Sequence, residues 1–404
     1  KMHKEDNLGV FHITDEETAG KRYVHKKKSK DKLLNAKDMN LPEDYPEIYL
    51  LQRENPAAGY IFCSPFGVPF LFPDAAPYKI IMDNYGVPVF YEKAVRARPD
   101  FKMQPNGELT FFEDHRFAAY DSSFNLIKHY NTGNGYSADL HELIVTPEGH
   151  KYMMSYPLDV MDLSGYAENG HPSSTVSGLV IQELDEENRV IFQWRSWDHI
   201  SPAESYMDLS KGYVDLVHGN AIEPVGDTAL WISSRHISQI TCIDRRTAEV
   251  IWRLGGKESD FEFVNDSDSG FVFQHDCRRL ENGNIQIFDN RTGLEPEYSR
   301  VVEYELNLDN MTTVLVNKLK NDSLSYGAFM GSARSLPNGN TIVGWGGGSP
   351  NISEFNPDGS IALEMDYPAI SYRVFKFDWK TNLFNADMES INLGNIEVND
   401  TVLV

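Results

Sequence analysis

The sequence predicts an all-β protein folded as a six-bladed β-propeller, with a mostly irregular N-terminal arm and a short C-terminal β segment. Three observations predict this fold. From Tyr60 onward, short apolar runs alternate with turn sequences, and the helical period is almost absent. A spacing of eight residues between a histidine and a turn glycine recurs along the chain. The outer part of each unit also recurs, as two apolar strands joined by an acidic turn.

The recurring spacing defines the units of the propeller. Four pairs of residues share it: His141 and Gly149, His218 and Gly226, His275 and Gly283, and Gly331 and Gly339. Units lie about 57 residues apart where no large insertion intervenes, and a four-stranded unit of this size cannot bury its own faces. Radial stacking buries those faces, so we predict blades that begin near residues 58, 98, 138, 214, 272 and 328.

The remaining segments are assigned around this ring. Residues 1–45 are polar and Lys-rich and are predicted to form the arm, and residues 46–380 form the propeller domain. Within it, residues 371–379 supply a late strand that can close the ring, while segments 157–178 and 256–271 are insertions expected to lie over a face. Residues 381–404 largely alternate apolar and polar positions, which indicates the start of a truncated β-sandwich module or a docking strand.

Composition limits the partners of the chain. The formal net charge is -23, which argues against nucleic acid and anionic membrane surfaces, because both require a basic footprint. No apolar run approaches the roughly 18 residues of a membrane span, so no transmembrane segment is expected, and no signal peptide is visible. A local cluster of Arg and His can still bind an anionic substrate, because it reverses the field within a pocket.

Four histidines are the candidate catalytic residues. In a propeller the innermost strand of each blade lines the channel, so His141, His218 and His275 should begin equivalent inner strands and point towards one axis. His236 follows on the hairpin that starts near His218. Imidazole serves nucleophilic and acid–base chemistry near neutral pH, which is why these histidines predict a catalytic centre.

Polar side chains near the same turns are the candidate substrate-binding residues. Arg235 and Arg291 suit sulfate or carboxylate, because the planar guanidinium group binds two oxygens at once. Asn220, Asn290 and Tyr298 are grouped with them. No metal site and no cofactor is predicted, although three histidines could hold a metal ion and the acidic run 265–270 leaves calcium open.

Several motifs resemble those of the arylsulfotransferase family. They are residues 139–149 (DLHELIVTPEG), 215–222 (DLVHGNAI), 233–238 (SSRHIS), 251–256 (IWRLGG), 273–278 (FQHDCR) and 336–345 (LPNGNTIVGW), and the resemblance extends over about 58–379. It implies a six-bladed propeller, a secreted or periplasmic location, and sulfate transfer from an aryl ester through a histidine to a phenol, without a nucleotide donor. It also implies that His218, His275 and Arg291 match family site residues.

One departure from the family keeps the reaction open. The nucleophilic histidine of the bacterial enzymes lies in a later blade, where this chain has Gly331, Ser332 and Arg334 and no histidine. Another histidine could take the sulfuryl group, from a small aryl sulfate or a sugar oxygen. Alternatively, the chain is a polysaccharide lyase that acts on a uronic acid, with His or Tyr136, Tyr298 or Tyr326 moving protons and Arg neutralising the carboxylate. A non-catalytic glycan-binding propeller is the third alternative.

Overall fold

The structure is a computed structural model that describes residues 41–321 and 325–380. Its regular structure consists of 29 strands and three short 3-10 helices within those residues. The predicted arm (1–45) and C-terminal segment (381–404) lie largely or wholly outside the described residues. No helix of the described part is long and apolar enough to cross a membrane.

Six sheets of four or five strands follow one another along the chain, and we number them I to VI. Sheet I contains β29 (Ile370–Phe377), β2 (Tyr60–Phe66), β3 (Tyr78–Met82) and β4 (Pro88–Lys93). Sheet II contains β5 (Lys102–Met103), β6 (Leu109–Glu113), β7 (Arg116–Tyr120) and β8 (Leu126–Tyr130). Sheet III contains β9 (Leu143–Val145), β10 (Lys151–Ser155), β13 (Val180–Leu184) and β14 (Val190–Arg195).

The second half of the chain builds sheets IV to VI. Sheet IV contains β16 (Gly219–Val225), β17 (Ala229–Ser234), β18 (Gln239–Asp244) and β19 (Val250–Gly255). Sheet V contains β21 (His275–Arg279), β22 (Ile285–Asp289), β23 (Arg300–Asn307), β24 (Thr312–Leu319) and β20 (Glu262–Val264). Sheet VI contains β25 (Ser332–Ser335), β26 (Thr341–Gly344), β27 (Ile352–Phe355), β28 (Ile361–Asp366) and β1 (Tyr49–Arg53).

The hydrophobic cores lie between neighbouring sheets and connect them in a ring. Phe62 of sheet I packs with Phe111 of sheet II, and separate buried clusters join II to III, III to IV, IV to V and V to VI. A further cluster joins Ile342 of sheet VI to Ile61 of sheet I. Each sheet thus buries its faces against its neighbours, as the blades of a propeller do, and the predicted all-β propeller class is confirmed.

The ends of the domain meet in sheet I. Strand β29, near the end of the domain, pairs antiparallel with β2, near its beginning, so that Phe62 lies opposite Phe375. The hydrogen bonds of this ladder tie the end of the domain to its first sheet, and the late strand lies where the sequence predicted it. Tyr45 packs against Tyr78 and Tyr91, so ordered packing of the chain already begins before β1.

The two predicted insertions differ from each other in structure. Segment 157–178 contributes β11 (Leu158–Met161) and β12 (Ser174–Ser177), which form a separate three-stranded sheet with β15 (Tyr213–Asp215). Segment 256–271 contributes β20, which pairs parallel with β24 at the outer edge of sheet V. The second segment is therefore partly integrated into a blade, because Phe261 and Phe271 are buried in the core between sheets IV and V.

Candidate functional site

The structure brings His141, His218, His236 and His275 together, and we call these four residues the histidine cluster. His275 is the first residue of β21, His218 immediately precedes β16, and His141 lies just before β9. The ring centroids of His141 and His218 are 5.0 Å apart, and those of His218 and His275 are 6.3 Å apart. The shared repeat position thus places three imidazoles from sheets III, IV and V at one site.

The hairpin of sheet IV adds the fourth histidine and an arginine. Gly219 lies opposite Ser234 in the β16–β17 ladder, so the residues that follow β17 return to those that precede β16. The backbone N–H of Arg235 donates to the His218 carbonyl, and the two atoms are 2.9 Å apart. His236 consequently stacks on His218, with ring centroids 4.5 Å apart.

Every histidine of the cluster donates its Nδ1 hydrogen to an oxygen acceptor. The acceptors are Asp139 Oδ1 for His141 (2.5 Å), Asp215 Oδ2 for His218 (2.6 Å), the Asp215 carbonyl for His236 (2.7 Å) and Asn290 Oδ1 for His275 (2.9 Å). Carboxylate and carbonyl oxygens can only accept, so the tautomer is assigned with the hydrogen on Nδ1. The lone pair of each neutral ring therefore lies on Nε2.

The orientation of Asn290 is fixed independently of His275. Its Nδ2 donates to the carbonyls of Gly327 (2.6 Å) and Met330 (2.9 Å), so its Oδ1 must face the imidazole. Asn290, predicted to bind substrate, thus positions His275. Asn220 likewise joins sheets IV and V, since it donates to the Gln274 carbonyl and accepts from the Asp276 N–H.

Burial keeps His218, His236 and His275 neutral. Burial lowers the pKa of His218, although the Asp215 carboxylate opposes the shift. Burial lowers the pKa of His236 to about 3 and that of His275 well below its ordinary value, with the positive charge of Arg235 adding to both shifts. Near neutral pH these rings are in the form that can act as a nucleophile, a base or a metal ligand.

Arg235 is a cation without a carboxylate partner among the described residues. Its terminal nitrogen donates to the Ala328 carbonyl (2.9 Å), its guanidinium lies 4.9 Å from the Phe273 ring centroid, and its buried Nε has no hydrogen-bond partner. The residue itself is partly exposed, and burial of its guanidinium lowers its pKa to about 10. A guanidinium with open donors beside neutral imidazoles is suited to bind an oxyanion.

Arg291 and Tyr298 lie in a different cluster. Arg291 forms an ion pair with Asp268 (3.1 Å) and lies 4.3 Å from the Tyr298 ring centroid. The structure joins them to the buried Arg300, which contacts Asp266, Asp268 and Asp289. The carboxylates of Asp266 and Asp268 in the acidic run therefore pair with arginines.

A layer of eight charged residues lies next to the histidine cluster, and the sequence reasoning missed it. This ion-pair layer comprises Asp100, Lys102, Glu142, Glu223, Asp276, Arg278, Arg334 and Arg373. These residues come from the first strand of each of the six sheets or from the residues just before it. Glu142 accepts from Lys102 (2.6 Å), Arg373 (2.9 Å) and Arg278 (2.5 Å). Four acids and four bases meet where the six sheets converge.

Tyr156 is a second residue that was missed. It immediately follows β10, its ring stacks on His141 with centroids 5.5 Å apart, and its hydroxyl donates to the Gly219 carbonyl. It stands 15 residues after His141, as Asn290 stands after His275, so the repeat spacing could have identified it. Burial, together with Asp139 and Asp215, raises its pKa well above the ordinary value.

Gly331 occupies in sheet VI the repeat position at which other sheets have histidine, and steric crowding explains the glycine. Gly331 has a φ of +107°, and a Cβ at this position would lie 2.3 Å from the Phe288 ring. No side chain fits there without a shift of the neighbouring sheet. Arg334, three residues after Gly331, pairs with Asp276 in the ion-pair layer.

The fold and site define an all-β, propeller-like protein with a histidine-lined centre. Residues 104–368 match the family model described as Arylsulfotransferase (ASST). The match covers more than half of the chain, so the chain belongs to the arylsulfotransferase family, as its motifs predicted. No curated protein sequence matches this chain.

The solved structures that this chain matches have very different sequences. A protein of unknown function from Bacteroides caccae is 10% identical with a TM-score of 0.50, covering 79% of this chain and 99% of that chain. A catalytically inactive virginiamycin B lyase from Staphylococcus aureus with quinupristin is 9% identical with a TM-score of 0.40, covering 79% and 88%. The Cps50 (Swd1) beta-propeller domain of Myceliophteria thermophila is 11% identical with a TM-score of 0.40, covering 81% and 89%. At these identities nothing about activity is drawn from the likeness.

Proposed function

We propose that the protein transfers a sulfuryl group from an aryl sulfate to a hydroxyl acceptor, with His218 as the nucleophile. The family assignment supports this class of reaction. The observation that carries the proposal is the guanidinium of Arg235, which has no carboxylate partner among the described residues and lies beside imidazoles whose Nδ1 atoms are already hydrogen-bonded. A sulfate ester offers three oxygens to such a cation while its sulfur faces a ring nitrogen.

His218 is favoured as the nucleophile for two reasons. Its side chain is 15% exposed, against 4% for His141 and 6% for His236, so a substrate reaches it more easily than it reaches those two. Its Nδ1 also donates to a carboxylate, which stabilises the positive charge that the ring acquires when Nε2 bonds to sulfur. His236 and His275 have neutral acceptors and lack this stabilisation.

The reaction takes two displacements at sulfur. In the first, the Nε2 lone pair of His218 attacks sulfur, an N–S bond forms, the aryl O–S bond breaks, and the phenolate leaves with the electron pair. In the second, the acceptor oxygen attacks sulfur, the N–S bond breaks, and the pair returns to Nε2. His141 or His275 takes the proton of the acceptor hydroxyl on its own Nε2. Arg235 holds the sulfuryl oxygens in both steps.

A transfer assay tests the proposal. The protein is incubated with p-nitrophenyl sulfate and a phenol, and nitrophenolate release and sulfated phenol are followed together. His218→Ala should lower kcat/KM by about 1000-fold or more, because it removes the group that carries the sulfuryl intermediate. His129→Gln is the matched control, since His129 lies in β8 beside Glu113, outside the histidine cluster. Transfer that survives in His218→Ala would exclude His218 as the nucleophile.

A polysaccharide lyase is the second candidate, because the free guanidinium of Arg235 would also neutralise a uronate carboxylate. The same preparation is therefore incubated with uronate polysaccharides, and the ultraviolet absorbance of an unsaturated product is measured. Unsaturated product without sulfuryl transfer would replace the first proposal with the second. A binding role alone is not favoured, since it does not require the assembled histidines.

A further inference from the structure

We infer that His141, His218 and His275 form a binding site for one divalent transition metal ion, of which Zn²⁺ is the representative. One ring nitrogen of each residue lies within 4.8 Å of one ring nitrogen of each of the other two. The three side chains come from three different sheets, so the fold itself converges them. This inference is independent of the proposed transfer reaction.

The groups that surround the histidines are those of a metal site. Histidines that ligate metals donate their second ring N–H to a carboxylate or a carbonyl, which fixes the tautomer and aims the lone pair. Asp139, Asp215 and Asn290 accept the Nδ1 hydrogens of the three rings. The nitrogen left to each ring for ligation is Nε2. Three imidazoles with such partners match the three protein ligands of open, four-coordinate zinc sites.

The dimensions of the site fit an ion after a small contraction. Zn–N bonds of about 2.0–2.1 Å in tetrahedral geometry place ligand nitrogens roughly 3.3 Å apart. The present limit of 4.8 Å requires each ring to move inward by about 1 Å or less. The ion's two positive charges are matched by the carboxylates of Asp139 and Asp215, which lie behind two of the rings.

The chemistry of the ligands selects the class of ion. Three imidazole nitrogens favour zinc, copper, nickel or cobalt over calcium or magnesium, which prefer oxygen ligands. A second set, Asp215, His218 and His236, also lies within 4.8 Å, but hydrogen bonds explain it. There Asp215 Oδ2 accepts from His218 Nδ1 (2.6 Å), and the Asp215 carbonyl accepts from His236 Nδ1 (2.7 Å).

A bound ion has a direct consequence for the proposed transfer. It would occupy the Nε2 lone pair of His218, and the loaded protein could not attack sulfur through that nitrogen. Metal loading should therefore suppress transfer, and a chelator should restore it. If only the metal-loaded protein transfers sulfuryl groups, the metal site is supported and the proposal that His218 is the nucleophile is contradicted. The two proposals are thus separable.

The binding test uses the full chain after treatment with a chelator. Co²⁺ is titrated in as the probe, and visible absorption is recorded, because cobalt in a four-coordinate site with nitrogen ligands absorbs much more strongly than the hydrated ion. We expect saturation at one Co²⁺ per chain and its displacement by Zn²⁺. Saturation above one ion, or a spectrum like that of hydrated cobalt, would overturn the inference.

Variants test whether the absorption spectrum of bound Co²⁺ depends on the three histidines. His275→Gln should abolish the four-coordinate spectrum, while Asp139→Asn should weaken binding by about 10- to 100-fold through the loss of the carboxylate behind His141. His129→Gln should bind as the unaltered chain does. Circular dichroism and thermal melting establish that each variant is folded. Unchanged cobalt affinity in folded His275→Gln would contradict the proposed ligand set.

Discussion

The histidine cluster and the ion-pair layer lie side by side at the inner strands, yet their polar groups are paired very differently. In the ion-pair layer, Glu142 alone accepts hydrogen bonds from Lys102, Arg278 and Arg373. In the histidine cluster, only the Nδ1 side of each ring is bound, and Arg235 has no carboxylate partner among the described residues. The first arrangement holds the six sheets together, while the second leaves donors and lone pairs for a ligand.

The largest effect on stability is expected from breaking the ion-pair layer. Glu142→Gln keeps the shape of the side chain but removes the charge that opposes Arg278 and Arg373, so it should lower the free energy of unfolding by about 3–5 kcal/mol. Denaturant midpoints measure this change. The control is Glu187→Gln, because water screens the exposed Glu187–Arg189 pair and its loss should change stability far less. Equal effects of the two changes would show that the buried layer does not stabilise the fold.

Substitution of Arg235 should have a large effect on activity and a small effect on stability. Arg235→Lys keeps the charge but removes the planar pair of donors, and it should lower kcat/KM for sulfuryl transfer by about 100- to 1000-fold. The free energy of unfolding should change by less than about 1 kcal/mol, since no ion pair is lost. Denaturant midpoints and initial rates are measured on one preparation, so that the effects on stability and on activity can be compared. A large loss of stability with unchanged kcat/KM would assign Arg235 to the framework.

The histidine cluster should also make stability depend on pH. The pKa of His236 falls from 6.5 to about 3 on folding, so between these values the unfolded chain binds the additional proton. The free energy of unfolding should therefore fall as the pH drops from 6.5 towards 3, by up to about 1.4 kcal/mol per pH unit from this group.

His236→Gln tests that contribution. The variant should show a shallower loss of stability between pH 6.5 and 4 in denaturant titrations of chelator-treated protein. The loss should not vanish, because the pKa values of His218 and His275 are lowered in the same direction. The same slope in the variant and the unaltered chain would show that His236 is not held neutral by burial.

The repeat spacing predicted where the histidines would meet. A hairpin that begins at the same position in each unit places His141, His218 and His275 at equivalent strand starts, and local sequence is sufficient to infer this. Asp139 and Asp215 could also have been predicted from the sequence, because they lie two and three residues before the histidines that they bind. The all-β propeller class followed from the same periodicity.

Contacts between sheets could not be predicted in this way. Arg373 reaches Asp100 across 273 positions of the sequence, and no local pattern specifies that pair. The two arginines after the hairpins were equivalent candidates by sequence, but Asp268 neutralises Arg291 and leaves Arg235 open. The charge environment of a side chain depends on which loop packs beside it, and that is set by tertiary structure.

Trapping of the covalent intermediate tests the central claim most directly. The protein is mixed with excess p-nitrophenyl sulfate without an acceptor, quenched at alkaline pH, and digested for peptide mass spectrometry. We expect one sulfuryl group per chain on His218, a matching burst of nitrophenolate, and loss of the adduct on addition of a phenol. Sulfuryl transfer to the phenol with no adduct on His218 would contradict it.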